Sequence, residues 1–452
     1  MNTLRTHVAG RAAFAVFTIV IALAACSKSP TPTPETAPKA VAADAPPPRL
    51  VFLALDAGTW DLLGPWMDRG LLPNLARLRA EGVHGKLRST QPSSSPVIWT
   101  SIATGKTPEK HGIDWFVRFP NGPGKPVPVD RRLRKVKALW NILGGRGLDV
   151  AVLGWFVTWP AEEVNGRLLS DIAHYGTTEG EAFPPEFLAS LPPVPQTEAI
   201  AALPRFMDFA YDPSRAVKKE GEPPTLDYLV YDRFLRAYSR DLFYLEAVEK
   251  TLADGPLPEA LFLYLRGTDD VQHGFWKFMQ PEGFADVTPE QQAALGHVIE
   301  RYWQFIDEGV GKVLSHYRKE PPLVFAASDH GAEAALGDVK VDVPEYLHLS
   351  GAHDIDGFFI AAGPGIRRGE TFEGATIYDL APTILHALGM PAARDMDGRV
   401  LTGLFDAAAA ARPVQTVDTF EQGSSASPGG AELPAEVDKK VLEHLRSLGY
   451  IQ

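Results

Sequence analysis

Five short, uninterrupted apolar runs constrain this chain more than any other feature. They are Leu50 to Leu55, Val150 to Phe156, Ala260 to Leu265, Leu323 to Ala327 and Phe358 to Ala362. Runs of this kind without polar alternation fit strands buried on both faces of a parallel sheet. Helix-like stretches fall between them: Leu72 to Glu81, Arg134 to Gly144, Tyr231 to Leu252 and Pro289 to Tyr317. Strand and helix in alternation predict an α/β fold, a doubly wound and mostly parallel sheet flanked by helices. In such a sheet the ligand binds beyond the carboxyl ends of the strands. Three of these ends carry an acid: Asp56 in Asp56-Ala57-Gly58, Asp269 after Arg266-Gly267-Thr268, and Asp329 in Ser328-Asp329-His330-Gly331.

Histidines accompany these acids. Asp269 and His273 are spaced i and i+4, so one helical turn aims both at one point. Asp329 and His330 are adjacent and share no helical face, but a loop past a strand can turn both to one ion or to two neighbouring ions. His353 follows shortly before Gly357. Carboxylates mixed with imidazoles are a ligand set for zinc and, less often, iron or manganese. An isolated Asp-x-x-x-His or a lone His such as His111 is more often structural; the convergence of the whole set carries the argument.

The loop-forming Gln91 to Pro96 precedes Val-Ile-Trp-Thr-Ser-Ile-Ala-Thr-Gly, which is expected to begin a helix near Thr100. A hydroxyl there is ordinarily an N-cap. Beside a metal it becomes a nucleophile, with helix N–H groups receiving phosphoryl oxygens. Gly105-Lys106-Thr107 is no phosphate-binding P-loop, because the pattern requires glycine where the chain has Thr100.

Taken together, Leu-Asp-Ala-Gly at 55–58, Leu-Pro-Asn-Leu-Ala-Arg-Leu at 72–78, the segment from Trp99 to Ile113, Thr-Asp-Asp-Val-Gln-His at 268–273, Ser-Asp-His-Gly at 328–331 and Gly-Ala-His at 351–353 resemble the type I phosphodiesterase/nucleotide pyrophosphatase family of the alkaline phosphatase superfamily. The resemblance covers about residues 50–404. It implies an alkaline-phosphatase-like sheet and a phosphoester hydrolase with two divalent ions, zinc first among them. One ion would be held by Asp56, Asp329 and His330 with Thr100 as nucleophilic ligand, the other by Asp269, His273 and His353. It also implies a covalent phosphothreonine intermediate and a small phosphoester substrate. The chain departs from the family after Ile113. An asparagine that usually binds a phosphoryl oxygen is missing, and Asp114, Trp115 and Phe116 follow instead. Trp115, Phe116, Phe275 and Trp276 read equally as a leaving-group pocket or as core. A sulfatase is excluded because its Cys/Ser-x-Pro-Ser-Arg pattern does not fit at Thr100. A transferase moving a phosphoryl-alcohol group to an envelope lipid or glycan shares the metals and the threonine, but usually carries a multi-helix membrane domain. A non-catalytic surface lipoprotein is the reading of another class.

The amino-terminal segment stands apart from the fold. Arg5 and Arg11 precede the apolar run Ala12 to Ala25, too short to span a bilayer and suited to a signal peptide. Leu23-Ala-Ala-Cys26 resembles the lipobox of bacterial lipoproteins, which implies acylation of Cys26, the only cysteine. Ser27 resembles lipoproteins sorted to the outer membrane. The expected organisation is a signal peptide over 1–25, a lipidated Cys26 with a Pro/Ala-rich tether to residue 49, and a catalytic domain over 50–405. Residues 160–227 are expected as an insertion or cap, and 406–452 as a low-complexity stretch and a last amphipathic helix. The protein is thus expected in the bacterial envelope, on the periplasmic face of the outer membrane. A net charge of −12 gives it no general attraction for nucleic-acid duplexes.

Overall fold

The computed structural model describes residues 47–119, 125–176, 179–195, 226–336, 349–421 and 435–447. The signal peptide, Cys26 and most of the tether lie outside them, as do residues 196–225 of the expected cap and the Gly/Ser stretch at 422–430.

The chain builds a ten-stranded sheet. Its strands are β1 (Leu50–Leu55), β2 (Gly82–Arg88), β3 (Val150–Leu153), β4 (Gly166–Leu169), β5 (Ala182–Phe183), β6 (Ala260–Leu265), β7 (Leu323–Ala327), β10 (Asp356–Ala362), β11 (Glu370–Thr371) and β12 (Ala375–Thr376), with β8 (Gly331–Ala334) and β9 (Gly351–Asp354) forming a separate pair. The order across the sheet is β11-β2-β10-β7-β1-β6-β3-β4-β5, with β12 beside β2. At the centre β1 runs parallel to both β6 and β7, and β3 parallel to β6 and β4. Every residue of β1 is buried. Val51, Leu53 and Leu55 enter one core cluster, and Leu50, Phe52 and Ala54 enter the other. Successive side chains point to opposite faces, and both faces are covered, as the unbroken apolar run required.

Several expectations are corrected. The strand at 358–362 begins at Asp356 and runs antiparallel to both β7 and β2. A strand buried on both faces reads the same in either direction, and here the β8–β9 pair returns the chain beside β7. Only Leu139–Gly144 of the stretch from Arg134 is helical, because Asn141 caps the backbone N–H of Ala138. The stretch from Pro289 divides at Gly296 into Pro289–Leu295 and Val298–Ser315. Within the expected cap, β4 and β5 instead extend the main sheet.

The helices that matter for the site are α1 (Ser95–Thr104), α2 (Gly267–Met279) and α3 (Ala435–Ser447). Helix α3 docks on the body through Leu442 and Leu445, which pack with Phe116 and Val117, and through Val437, which packs with Trp159 and Ile172.

Candidate metal centre

The ends of β1, β6 and β7 deliver the three acids to one place. Two sets of three donors converge among the described residues: Asp56, Asp329 and His330, and Asp269, His273 and His353. In the first, His330 Nε2 lies 3.6 Å from Asp56 Oδ1 and 3.4 Å from Asp329 Oδ2. In the second, Asp269 Oδ1 lies 3.1 Å from His273 Nε2 and 3.4 Å from His353 Nε2. The sets adjoin, because the His330 and His353 rings stack with centroids 3.6 Å apart.

Local structure explains each placement. Asp269 and His273 occupy adjacent turns of α2, as their spacing predicted. His353 lies on β9 opposite Ala332 of β8, which returns it towards His330. Gly351 permits this approach, since a Cβ there would fall 2.5 Å from the Gln272 carbonyl oxygen. Ala57 takes φ 55°, a left-handed conformation unusual for alanine, and so turns the chain sharply after Asp56. That turn is pinned by Gln272 Nε2 donating to Ala57 O and by Ser328 Oγ donating to Gly58 O, each at 2.9 Å.

Hydrogen bonds settle which atoms remain for a metal. His273 Nδ1 faces Gly351 O at 2.8 Å, His330 Nδ1 faces Gly331 O at 2.9 Å and His353 Nδ1 faces Ser93 O at 3.1 Å. A carbonyl accepts only, so each ring places a proton on Nδ1. Without metal, His273 Nε2 also carries a proton towards Asp269 Oδ1, and it is on giving up such a proton that an Nε2 turns its lone pair to an ion. His111 shows the reverse. Its Nδ1 accepts from Ile113 N–H at 3.2 Å, and its Nε2 faces Ser101 Oγ at 3.0 Å. His111 is therefore a satisfied structural histidine, whose pKa burial lowers to about 3.

The carboxylates are oriented likewise. Asp56 Oδ2 accepts from the Tyr264 hydroxyl and from Trp99 Nε1 at 3.4 Å. Asp329 Oδ1 accepts from Ala57 N–H at 3.5 Å. The atoms left without a hydrogen-bond partner are Asp56 Oδ1, Asp329 Oδ2, Asp269 Oδ2 and His330 Nε2. Four buried orphan atoms of metal-ligand type at one point are costly unless a cation satisfies them. The donor set fits divalent ions, zinc best among them. Asp56, Tyr264, Trp99, Thr268 and Gln272 form one bonded shell, with Thr268 Oγ1 donating to Asp56 O at 2.5 Å. Of these, Tyr264 gave no sequence signal, being one apolar-run residue among several.

Electrostatics differ between the sets. Burial, then the charge of Asp269, raises Asp56 to about 6. Burial, then Asp56, raises Asp329 well above the usual range. Burial acts the same way on Asp269, but His273 and then His353 overcome it and hold Asp269 well below. Burial lowers His353 to about 4. His273 is raised, because Asp269 outweighs its burial. The second set thus draws positive charge to where an ion would bind.

Thr100 is buried but is not at a helix start. Helix α1 begins at Ser95, with Pro96 in its first turn, so Thr100 is the sixth helical residue and its hydroxyl donates to Pro96 O at 2.6 Å. The expected reception of phosphoryl oxygens by N–H groups at Thr100 is corrected, since mid-helix amides are committed to the ladder. The nearby residues still tie α1 to both sets: Trp99 to Asp56, and Ser93, just before the helix, to His353. Phe275 and Trp276 belong to the core, whereas Phe116 lines a cavity.

The profile of the family described as type I phosphodiesterase/nucleotide pyrophosphatase matches residues 50–383. A 2,3-bisphosphoglycerate-independent phosphoglycerate mutase of Roseobacter denitrificans is 32% identical over 96 residues, 21% of this chain and 18% of that protein's length. The chain therefore aligns with less than a fifth of that relative. Among solved structures, human ectonucleotide pyrophosphatase/phosphodiesterase 5 has a TM-score of 0.46 at 14% identity, covering 77% of this chain and 97% of that one. An inactive murine counterpart in complex with AMP gives 0.44 at 14%, covering 76% and 96%. At these values neither likeness bears on substrate or mechanism. The profile match spans most of the chain, and the chain belongs to the type I phosphodiesterase/nucleotide pyrophosphatase family.

Proposed function

We propose that this protein cleaves a small phosphoester by attack of Thr100 on phosphorus at a site for two divalent ions, zinc by preference. The carrying observation is the convergence of two donor sets with inward Nε2 atoms and four orphan atoms. Asp56, Asp329 and His330 would hold one ion, with Thr100 beside it, and Asp269, His273 and His353 the other. When bound, such ions acidify a hydroxyl and stabilise the attacking and leaving oxygens. Thr100 Oγ1 forms a bond to phosphorus as the bond from phosphorus to the ester oxygen breaks, and the proton that the hydroxyl gives up passes through solvent to the departing alkoxide, which leaves as the alcohol. Water then cleaves the phosphothreonine and restores the hydroxyl. Tyr264 and Trp99 fix the Asp56 carboxylate, and the three Nδ1 contacts fix the rings, so little reorganisation is needed during reaction.

The test is hydrolysis of matched aryl phosphate mono- and diesters by zinc-loaded residues 27–452, beside Thr100→Ala. Cleavage that is lost in the variant while both ions remain supports the reading. Cleavage that survives contradicts it, and no cleavage of either ester turns attention to a phosphotransferase. We also infer lipid anchoring through Cys26 in the bacterial envelope, on the periplasmic face of the outer membrane. Cys26→Ala is then expected to leave the membrane fraction, and unchanged fractionation contradicts it.

A further inference from the structure

Beside Asp56 lies a cavity that contains none of the six candidate ligands and not Thr100. Its walls are largely aromatic and aliphatic, including Phe116, Phe156, Trp159 and Tyr244, with Val441 and Leu445 contributed by α3. Tyr264 joins the two: it lines the cavity, and its hydroxyl bonds Asp56. An occupant of this cavity would therefore touch Tyr264, which braces the metal centre, without touching the six candidate ligands or Thr100.

Two guanidinium groups enter these apolar walls, and they differ. Arg240 is committed, bonding Asp270 Oδ2 and lying 3.6 Å from Asp241 Oδ1. Arg266 is not. The Nε of each is without a hydrogen-bond partner, but the Arg266 side chain, only 11% exposed, reaches no carboxylate in a hydrogen bond, and the Asp270 oxygen it faces is 4.0 Å away. Its carbon Cζ lies 5.2 Å above the Phe156 ring, which in turn packs on Tyr264. An arginine remains charged at any physiological pH. The charges of Asp270 and Asp269 outweigh the cost of burying this one, but its buried Nε–H is still without an acceptor and remains available to an incoming anion. The cavity's own acids are already engaged. Asp130 pairs with Arg132, and Asp171 accepts from the backbone N–H groups of Val157, Thr158 and Trp159.

We propose that this cavity is a subsite for the non-transferred part of the substrate, that this part is an apolar or aromatic group bearing a second anion, and that Arg266 reads the anion. The inference rests on the hydrolase reading for its orientation, but the binding event is independent of turnover. A carboxylate or a further phosphate on the leaving group satisfies the chemistry equally.

The experiment uses metal-loaded protein and two probe pairs that differ only in charge. Binding of 4-hydroxybenzoate and 4-hydroxybenzamide is measured by calorimetry. Cleavage of aryl phosphodiesters whose leaving groups are these two phenols is measured in parallel. The wild type is expected to favour the carboxylate over the amide by about tenfold or more in both, the value of one charge-assisted hydrogen bond. In Arg266→Gln the acid-to-amide ratio is expected to collapse towards one, and Arg266→Lys to retain part of it. A misfolded or loosened variant would weaken both probes together and leave the ratio alone. Equal binding of acid and amide by the wild type overturns the proposal, as does an Arg266→Gln variant that binds the amide as tightly as the wild type and keeps the wild-type ratio. Preferential acid binding with no ester cleavage would uphold the subsite and overturn the hydrolase reading instead. Two diesters extended by phosphate and by carboxylate then show which anion binds more tightly.

Discussion

The two donor sets use the same kinds of atom in opposite electrostatic states. Asp56 and Asp329 face one imidazole, and burial and mutual repulsion push both carboxyl groups up. Asp269 faces two imidazoles, which hold it down despite equal burial. The first set is braced from outside, by Tyr264, Trp99 and the Ala57 amide, and leaves three of its own atoms unpaired. The second is already partly neutralised by its own members. A buried cluster with two acids and one base depends on a cation far more than a cluster with one acid and two bases.

This difference predicts opposite responses in metal-free protein. Asp329 has a raised folded pKa, so whatever stability it confers is present at low pH and lost as pH rises through that pKa. Asp269 has a depressed one, so its contribution is present at neutral pH and lost only in acid. At pH 8, with metal chelated, Asp269→Asn is expected to cost about 3 kcal/mol, as when one partner of a buried pair is removed. Asp329→Asn is expected to be neutral or to raise the melting temperature. Calorimetric melting of both variants without metal checks this, and a shift of the same sign in both would erase the distinction. The metal-free wild type should also melt progressively lower as pH rises through about 6, where Asp56 ionises. Restoring zinc should remove that decline.

A smaller effect isolates the bracing of the first set. Tyr264→Phe removes one donor to Asp56 and is expected to weaken one ion by about 10- to 100-fold while the other is unchanged. Metal titration with two resolved binding steps would show it, and equal weakening of both steps would mean that the sets are not independently held. Least affected should be His111→Asn. It disturbs two buried hydrogen bonds, to Ser101 and Ile113, each worth about 1 kcal/mol, but leaves both ions in place. Loss of either ion in that variant would contradict the tautomer argument that separates His111 from His273, His330 and His353.

What was legible from the residues follows the same physics. Asp269 and His273 converge because i and i+4 share a helix face whatever surrounds them. Asp56 and Asp329 were found because each closes an apolar run, and a buried strand must end where polar groups begin. Strand direction was not legible for Asp356–Ala362, since a strand covered on both faces carries no directional pattern. The start of α1 was misplaced because Trp99-Thr100 looked like the first turn, although Pro96 at a first-turn position was a usable signal for an earlier start. The contact of Tyr264 with Asp56 and the place of Arg266 in the cavity wall left no mark in the sequence. One residue belongs to a strand core and the other to a strand end, and only the turn of Phe156 towards both reveals what they face.

The central claim is that Thr100 carries the phosphorus covalently. Acid quenching during turnover of an aryl phosphodiester, followed by mass measurement of the peptide containing Thr100, tests it most directly. The account predicts that this peptide gains the mass of the transferred phosphoryl group with its retained ester, localised to Thr100, and that the gain disappears when substrate is exhausted. Steady turnover with an unmodified Thr100 peptide at every quench time, together with full activity in Thr100→Ala, would contradict it.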